Sequence, residues 1–187
     1  MKKLCFIIVA FFLVVSYSSA QEQSFAQDNN VVSLGVGFGG NLYNLSGYSG
    51  VSRIPLISLG YERCIIGNLF NDKSSLGVGA IIDYTSAKYN GSYGWGWKSS
   101  STIIGAKGAL HYAFVDKLDT YAGLILGYNI YSWKWTGDYT TGGSSGSGGF
   151  DWTFYLGARY YFTDAIGVFA EVGAGYTLLK AGLAFKF

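Results

Sequence analysis

The chain has 187 residues, of which 18% are aromatic and only 13% charged, with 28 glycines and one proline. A soluble domain carries about 25% charged residues, so a surface built from this chain is poor in charge and rich in Tyr, Phe and Trp. The formal charge of +2 comes with no basic stripe, which excludes a nucleic-acid partner, and no apolar run beyond the N-terminus approaches the ~18 residues of a membrane helix.

Lys2 and Lys3 precede an apolar run from Leu4 to Val15, and Ser18, Ser19 and Ala20 follow it. A basic start, a short apolar core and small residues make a secretory signal, here residues 1–20, cut before Gln21. Cys5 stands at the front of that run, not behind it where a lipid-anchored cysteine would lie. Cys64 is then the one cysteine left, so no internal disulfide forms. Without Lys2 and Lys3 the 13 basic residues come into balance with the 11 acidic ones. Residues 21–30 are polar and aperiodic and read as a disordered periplasmic lead-in to a domain spanning 31–187.

From there a period of two recurs, the mark of strands with two unlike faces. Val32, Leu34, Val36 and Phe38 alternate with Ser33, Gly35, Gly37 and Gly39. These glycines superficially match a dinucleotide loop, but no strand precedes them and no helix follows. Asn41 to Arg53 reads as a loop. The second strand puts Ile57, Leu59 and Tyr61 on the apolar face and Ser58, Gly60 and Glu62 on the other, with Pro55 near its start. The third sets Val78, Ala80, Ile82 and Tyr84 against Gly77, Gly79, Ile81 and Asp83. A loop is expected over Tyr89 to Lys98. The fourth strand sets Ile104, Ala106, Leu110 and Tyr112 against Gly105, Lys107, Ala109 and His111, and a turn follows over Phe114 to Asp119.

The fifth strand sets Leu124, Leu126 and Tyr128 against Tyr121, Ile125 and Asn129. Trp133 to Gly149, rich in Gly and Ser, reads as a long flexible loop. The sixth sets Trp152, Phe154, Leu156 and Tyr160 against Asp151, Tyr155, Arg159 and Tyr161, and the seventh sets Val168, Ala170 and Val172 against Phe169 and Glu171. After a short link at Thr177, the last strand puts Leu179, Ala181, Leu183, Phe185 and Phe187 opposite Lys180, Gly182, Ala184 and Lys186.

Eight strands of roughly the ~9–11 residues that cross a bilayer, joined by alternating long and short connections, predict an all-β fold. It is an eight-stranded antiparallel up-and-down transmembrane β-barrel, apolar face to lipid and polar face to the lumen. A closed ring is required, because hydrocarbon cannot satisfy open strand edges. All five Trp lie in or beside the long connections, while Tyr61, Tyr112, Phe114, Tyr160, Phe162, Phe185 and Phe187 lie at the other end. That is the two-belt distribution of interfacial aromatics.

With its leader and its terminal Gly182-Leu183-Ala184-Phe185-Lys186-Phe187, this pattern resembles the small OmpA/OmpX-type outer-membrane β-barrel family over the whole of 31–187. The resemblance implies location in the cell outer membrane. It also implies that Leu183, Phe185 and Phe187 form the signal read by the barrel-assembly machinery during insertion. The very short last outer connection departs from a barrel with four protruding loops.

An eight-stranded barrel is just wide enough for side chains to fill. The inward set includes Glu62, Asp83, Lys107, His111, Arg159 and Glu171, and charges removed from water need partners. Lys107 and Arg159 are therefore expected to pair with Glu62 and Glu171 as a lumen charge network. Asp83 and Asp151 lie near the outer rim as ordinary solvated acids. The lone His111 lacks the companions of a metal site or a catalytic triad, so no metal, cofactor or catalytic residue is expected and the chain is not read as an enzyme. Tyr93, Trp95, Trp97, Trp133 and Trp135 are expected to form an outer-loop aromatic surface, either anchoring the interface or meeting a surface ligand. The expected protein is a monomer among outer-membrane lipid with a filled lumen and a structural or surface-interaction role. The alternatives are a low-conductance channel and an outer-membrane lipid-modifying enzyme.

Overall fold

Alternation with a period of two asks for strands whose two faces meet different surroundings, and pairing them is what satisfies their backbone groups. The computed structural model describes residues 23–39, 50–91, 95–136 and 144–187. The expected signal over residues 1–20, Tyr93 and Tyr139 lie outside the described residues.

The described strands are β1 (Asn30–Phe38), β2 (Val51–Arg53), β3 (Leu56–Ile66), β4 (Ser74–Asn90), β5 (Gly96–Val115), β6 (Leu118–Thr136), β7 (Ser144–Tyr161), β8 (Ile166–Ala174) and β9 (Leu179–Lys186). β2 and β3 act as one stave. Pro55 has no N–H to give the ladder, so the strand is interrupted there, while β2 continues the pairing with β4 at Val51↔Tyr89 and Arg53↔Ala87. Ile54 N–H still donates to Ser86 O at 3.0 Å across the gap. Among the described residues the staves form a ring of eight, each antiparallel to its neighbours, closed by β1 against β9. The closing register runs from Val31↔Lys186 to Phe38↔Leu179. Beyond it, Asn30 and Phe187 exchange two backbone hydrogen bonds of 2.9 Å.

The faces follow the expected parity. Leu34, Leu126, Trp152, Val172 and Leu183 stand outside at 45–59% exposure, while Glu62, Asp83, Lys107 and Arg159 inside are at 7% or less. This inverts a soluble protein, which avoids wide exposed apolar patches.

Two expectations need correcting. β4, β5, β6 and β7 run for 17, 20, 19 and 18 residues, well beyond a bilayer crossing. The described parts of the supposed loops over Tyr89–Lys98 and Trp133–Gly149 are largely ladder: β4 pairs β5 out to Asn90↔Gly96, and β6 pairs β7 out to Lys134↔Ser144. Beyond the apolar band the contrast reverses, with Tyr131, Trp133 and Trp135 inward and Ser132 and Lys134 outward, so it does not read as a continuation of the same strand, and neighbouring backbones pair along it. β1, β3, β8 and β9 stop at 8–11 residues. One side of the barrel therefore projects as a sheet at the end opposite the termini, called the far end below.

The second correction concerns the lead-in. Its described part, Gln23–Asn29, is ordered, with Phe25 only 1% exposed inside the barrel. Gln23 Nε2 donates to Ser74 O at 2.9 Å, Asp28 N–H to Cys64 O at 3.1 Å, and Ser75 Oγ to Phe25 O at 2.8 Å. One apolar residue makes no period, so the sequence read as polar coil.

Large side chains fit inside because glycines sit opposite them. The Phe169 ring lies over Gly35, which pairs with Gly182 across the closing seam. A Cβ on Gly182 would run into Leu34 O and the Gly35 Cα, both backbone. Gly182→Val should therefore cost more than the ~1–3 kcal/mol of ordinary overpacking. We expect loss of the compact, heat-modifiable band on unheated gels; unchanged migration would show that the seam can give way.

Candidate functional site

Five staves bring the polar lumen together near the end that carries the termini. Glu62 comes from β3, Lys107 and His111 from β5, Asp119 and Tyr121 from β6, Arg159 and Tyr161 from β7 and Glu171 from β8. All are inward by parity and all are buried. Glu62 is the hub: its Oε2 accepts from Arg159 Nη2 at 2.8 Å and lies 3.4 Å from Lys107 Nζ, and its Oε1 is 3.1 Å from His111 Nε2. Arg159 Nη1 donates to Asp119 Oδ2 at 3.3 Å. His111 Nδ1 lies 2.9 Å from Asp119 Oδ1. Glu171 Oε1 accepts from Tyr121 OH at 3.0 Å and is 4.0 Å from Lys107 Nζ.

His111 thus has a carboxylate at each ring nitrogen. Donating to both needs an N–H on each, which only the imidazolium has. In that form three cations (Lys107, His111, Arg159) face three carboxylates (Glu62, Asp119, Glu171). Aromatic rings wall the cluster. Phe25 lies against His111 at 4.4 Å between centroids, the Arg159 guanidinium is 5.0 Å from the Tyr121 ring, and Lys107 Nζ is 5.2 Å from the Tyr155 ring.

A second, smaller group lies nearer the far end. Asp83 Oδ2 accepts from Tyr176 OH at 2.6 Å and from Lys180 Nζ at 3.0 Å. Between and around the two groups pack Leu56, Ile81, Ile103, Ile125 and Tyr155.

The four residues expected to form the lumen network do meet, with a different wiring. Arg159 pairs with Glu62 and Asp119 rather than with Glu171. Asp119 had been assigned to a turn, although it shares the inward parity of Tyr121 two residues on. Asp83, read as a solvated rim acid, is 1% exposed and held by Lys180. The sequence placed Lys180 inside but gave it no partner, because the two residues are 97 positions apart.

The expected aromatic surface also changes. Tyr93 lies outside the described residues. Trp97, Trp133 and Trp135 share the inward parity of their strands, on the face that continues the lumen wall. Trp97 is 1% exposed and stacked on Trp133 at 4.4 Å, with Trp135 5.9 Å from Trp133. Trp95 and Trp135 remain exposed. These rings stack on the inner face of the projecting sheet rather than forming an outward platform. Leu183, Phe185 and Phe187 stand on the outer face of β9 and just past it, all exposed. Among the described residues no group of three or more His, Cys, Asp and Glu is arranged to hold a metal ion.

No family model matches the sequence, and no curated protein matches it. Solved structures do. The N-terminal β-barrel domain of Pseudomonas aeruginosa OprF is similar with a TM-score of 0.50 at 12% identity, over 87% of this chain and 99% of that one. Ail, the attachment invasion locus protein of Yersinia pestis, determined in complex with the heparin analogue sucrose octasulfate, is similar with a TM-score of 0.54 at 13% identity, over 85% of this chain and 99% of that one. The chain has the fold of the small outer-membrane β-barrels. At these identities the likeness is one of fold.

Removing one member of a buried ion pair strands its partners and costs about 3–5 kcal/mol. Arg159→Ala should lower stability by that amount in urea unfolding from lipid. The double variant with Glu62→Ala should lose less than the sum of the singles, because the two share one contact. Strict additivity would mean the pair contributes no coupling.

Proposed function

We propose that this chain is a monomeric, non-enzymatic β-barrel of the cell outer membrane, acting as a structural or surface-interaction element of the envelope. Its lumen is sealed by its own side chains. The observation that carries this reading is the pairing of a broad apolar band on the outer wall with an interior whose charges neutralise one another. Hydrocarbon accepts such a wall because the ring leaves no strand edge unpaired. Within the cluster each described charge has a partner of opposite sign: Glu62 and Arg159 are 1–2% exposed, and Phe25 covers the cluster at the terminal end.

In this reading the termini face the periplasm and the projecting sheet of β4–β7 faces outward. Outer-membrane lipid surrounds the apolar band, and the far-end hairpins are the surface open to ligands. Leu183, Phe185 and Phe187, aligned on one exposed face, suit recognition by the barrel-assembly machinery before the ring closes.

Planar-bilayer recording tests the sealed lumen. The unmodified barrel should give no resolved single-channel steps, and Phe25→Ala, which removes the cover over His111, should give at most brief openings. Regular steps from the unmodified barrel that grow in Lys107→Ala would make the protein a low-conductance channel instead.

A further inference from the structure

The outward faces of the four long strands change character row by row. The register aligns Ile82, Ile104, Tyr128 and Phe150 across β4, β5, β6 and β7, and then Tyr84, Thr102, Ile130 and Gly148. The next row is Ser86, Ser100, Ser132 and Gly146, and the one beyond it is Lys88, Lys98, Lys134 and Ser144. Three lysines therefore stand directly opposite one another on three adjacent strands, all exposed and all on the lipid side of the sheet. Among the described residues no carboxylate forms an ion pair with any of them.

Like charges directly opposite across a ladder destabilise it. These strands are not sheet edges either, where lysines guard against unwanted pairing. An anion shared by the three ammonium groups removes the repulsion. The height of the row says which anion. On each strand the lysine lies four residues past the row of Tyr84 and Ile130, about 13 Å along strands that rise about 3.3 Å per residue, or about 10 Å along the normal for a tilt near 40°, and the row climbs by about 3 Å from one strand to the next at that tilt. The headgroup layer extends about 5–8 Å beyond the hydrocarbon, and lysine stems bend back towards it. The intervening serines add hydroxyl donors at that depth. Tyr128 and Phe150, edge to face at 5.4 Å, lie one row below that of Tyr84 and Ile130, close to the rim of the apolar band, where interfacial aromatics belong.

We propose that Lys88, Lys98 and Lys134, with Ser86, Ser100 and Ser132 below them, bind the phosphate groups of an anionic lipid in the leaflet at the far end. The acyl chains of that lipid lie against the apolar band beneath. This rests on the reading that the band sits in a bilayer. The acyl chains and the phosphate are held together, so the site takes a lipid headgroup rather than a soluble polyanion.

The test uses the full mature chain reconstituted in nanodiscs of phosphatidylethanolamine, with or without bisphosphorylated lipid A, and measures the lipid retained on the barrel by native mass spectrometry. The expected result is enrichment of lipid A that falls by at least about tenfold when its phosphates are removed, and by a similar factor in the triple variant Lys88→Gln, Lys98→Gln, Lys134→Gln. That variant relieves repulsion and should melt no lower than the parent, which checks that it is folded. Raising the salt should weaken retention. Equal retention by the variant, or indifference to the phosphates, overturns the proposal while leaving the membrane reading intact. Binding of sucrose octasulfate as tight as that of lipid A also overturns it, in favour of a soluble polyanion. Failure of the parent barrel to enter nanodiscs defeats both readings.

Discussion

Closure of β1 on β9 is the constraint from which the other features follow. In hydrocarbon an unpaired N–H or C=O costs several kcal/mol, so the wall can be greasy only if the ring has no edge. The seam requires close approach of two backbones, and Gly35 and Gly182 provide it while Phe169 fills the space they leave inside. Once the ring is shut, the inward residues within the apolar band are walled off from water and from lipid together.

That enclosure decides the chemistry of the interior. A carboxylate there cannot fall back on solvent, so each one is bound to a cation or a phenol. Glu62 serves three donors from two other strands, and Asp119 and Glu171 take the remainder. Arg159 suits the central place because its planar fork reaches two carboxylates at once. Lys180 and Tyr176 hold Asp83 in the same way from the other end of the chain. Such a network gives little net stability over an apolar filling, but it penalises any register that would leave one member alone.

Outside the bilayer the constraint lapses, and the same four strands carry a different design. Alternation now separates a ring-stacked inner face, with Trp97 on Trp133, from an outer face of serines and then lysines. The two faces of one hairpin thus do separate jobs. The inner one carries the stacked rings, and the outer one carries the serine and lysine rows.

How much of this the residues disclosed depends on range. A period of two is local, so the facing of Glu62, Lys107, His111, Arg159 and Lys180 was legible directly, as was the apolar wall from Leu34 to Phe185. The ordered lead-in was not, because Phe25 gains its burial only when the ring supplies a pocket. Nor was the true length of β4 to β7, because beyond the apolar band the polarity of the two faces reverses and Gly and Ser dominate the start of β7, so Tyr131, Trp133 and Trp135 read as loop aromatics. Partners were least legible of all: Arg159 chose Asp119 and Asp83 chose Lys180 by proximity across the lumen, and the lysine row exists only in register. The alternation of side chains by itself determined which way each strand faces, since polarity must match the adjoining medium residue by residue. Only the closed tertiary ring decided who meets whom, since distance across a barrel bears no relation to distance along the chain.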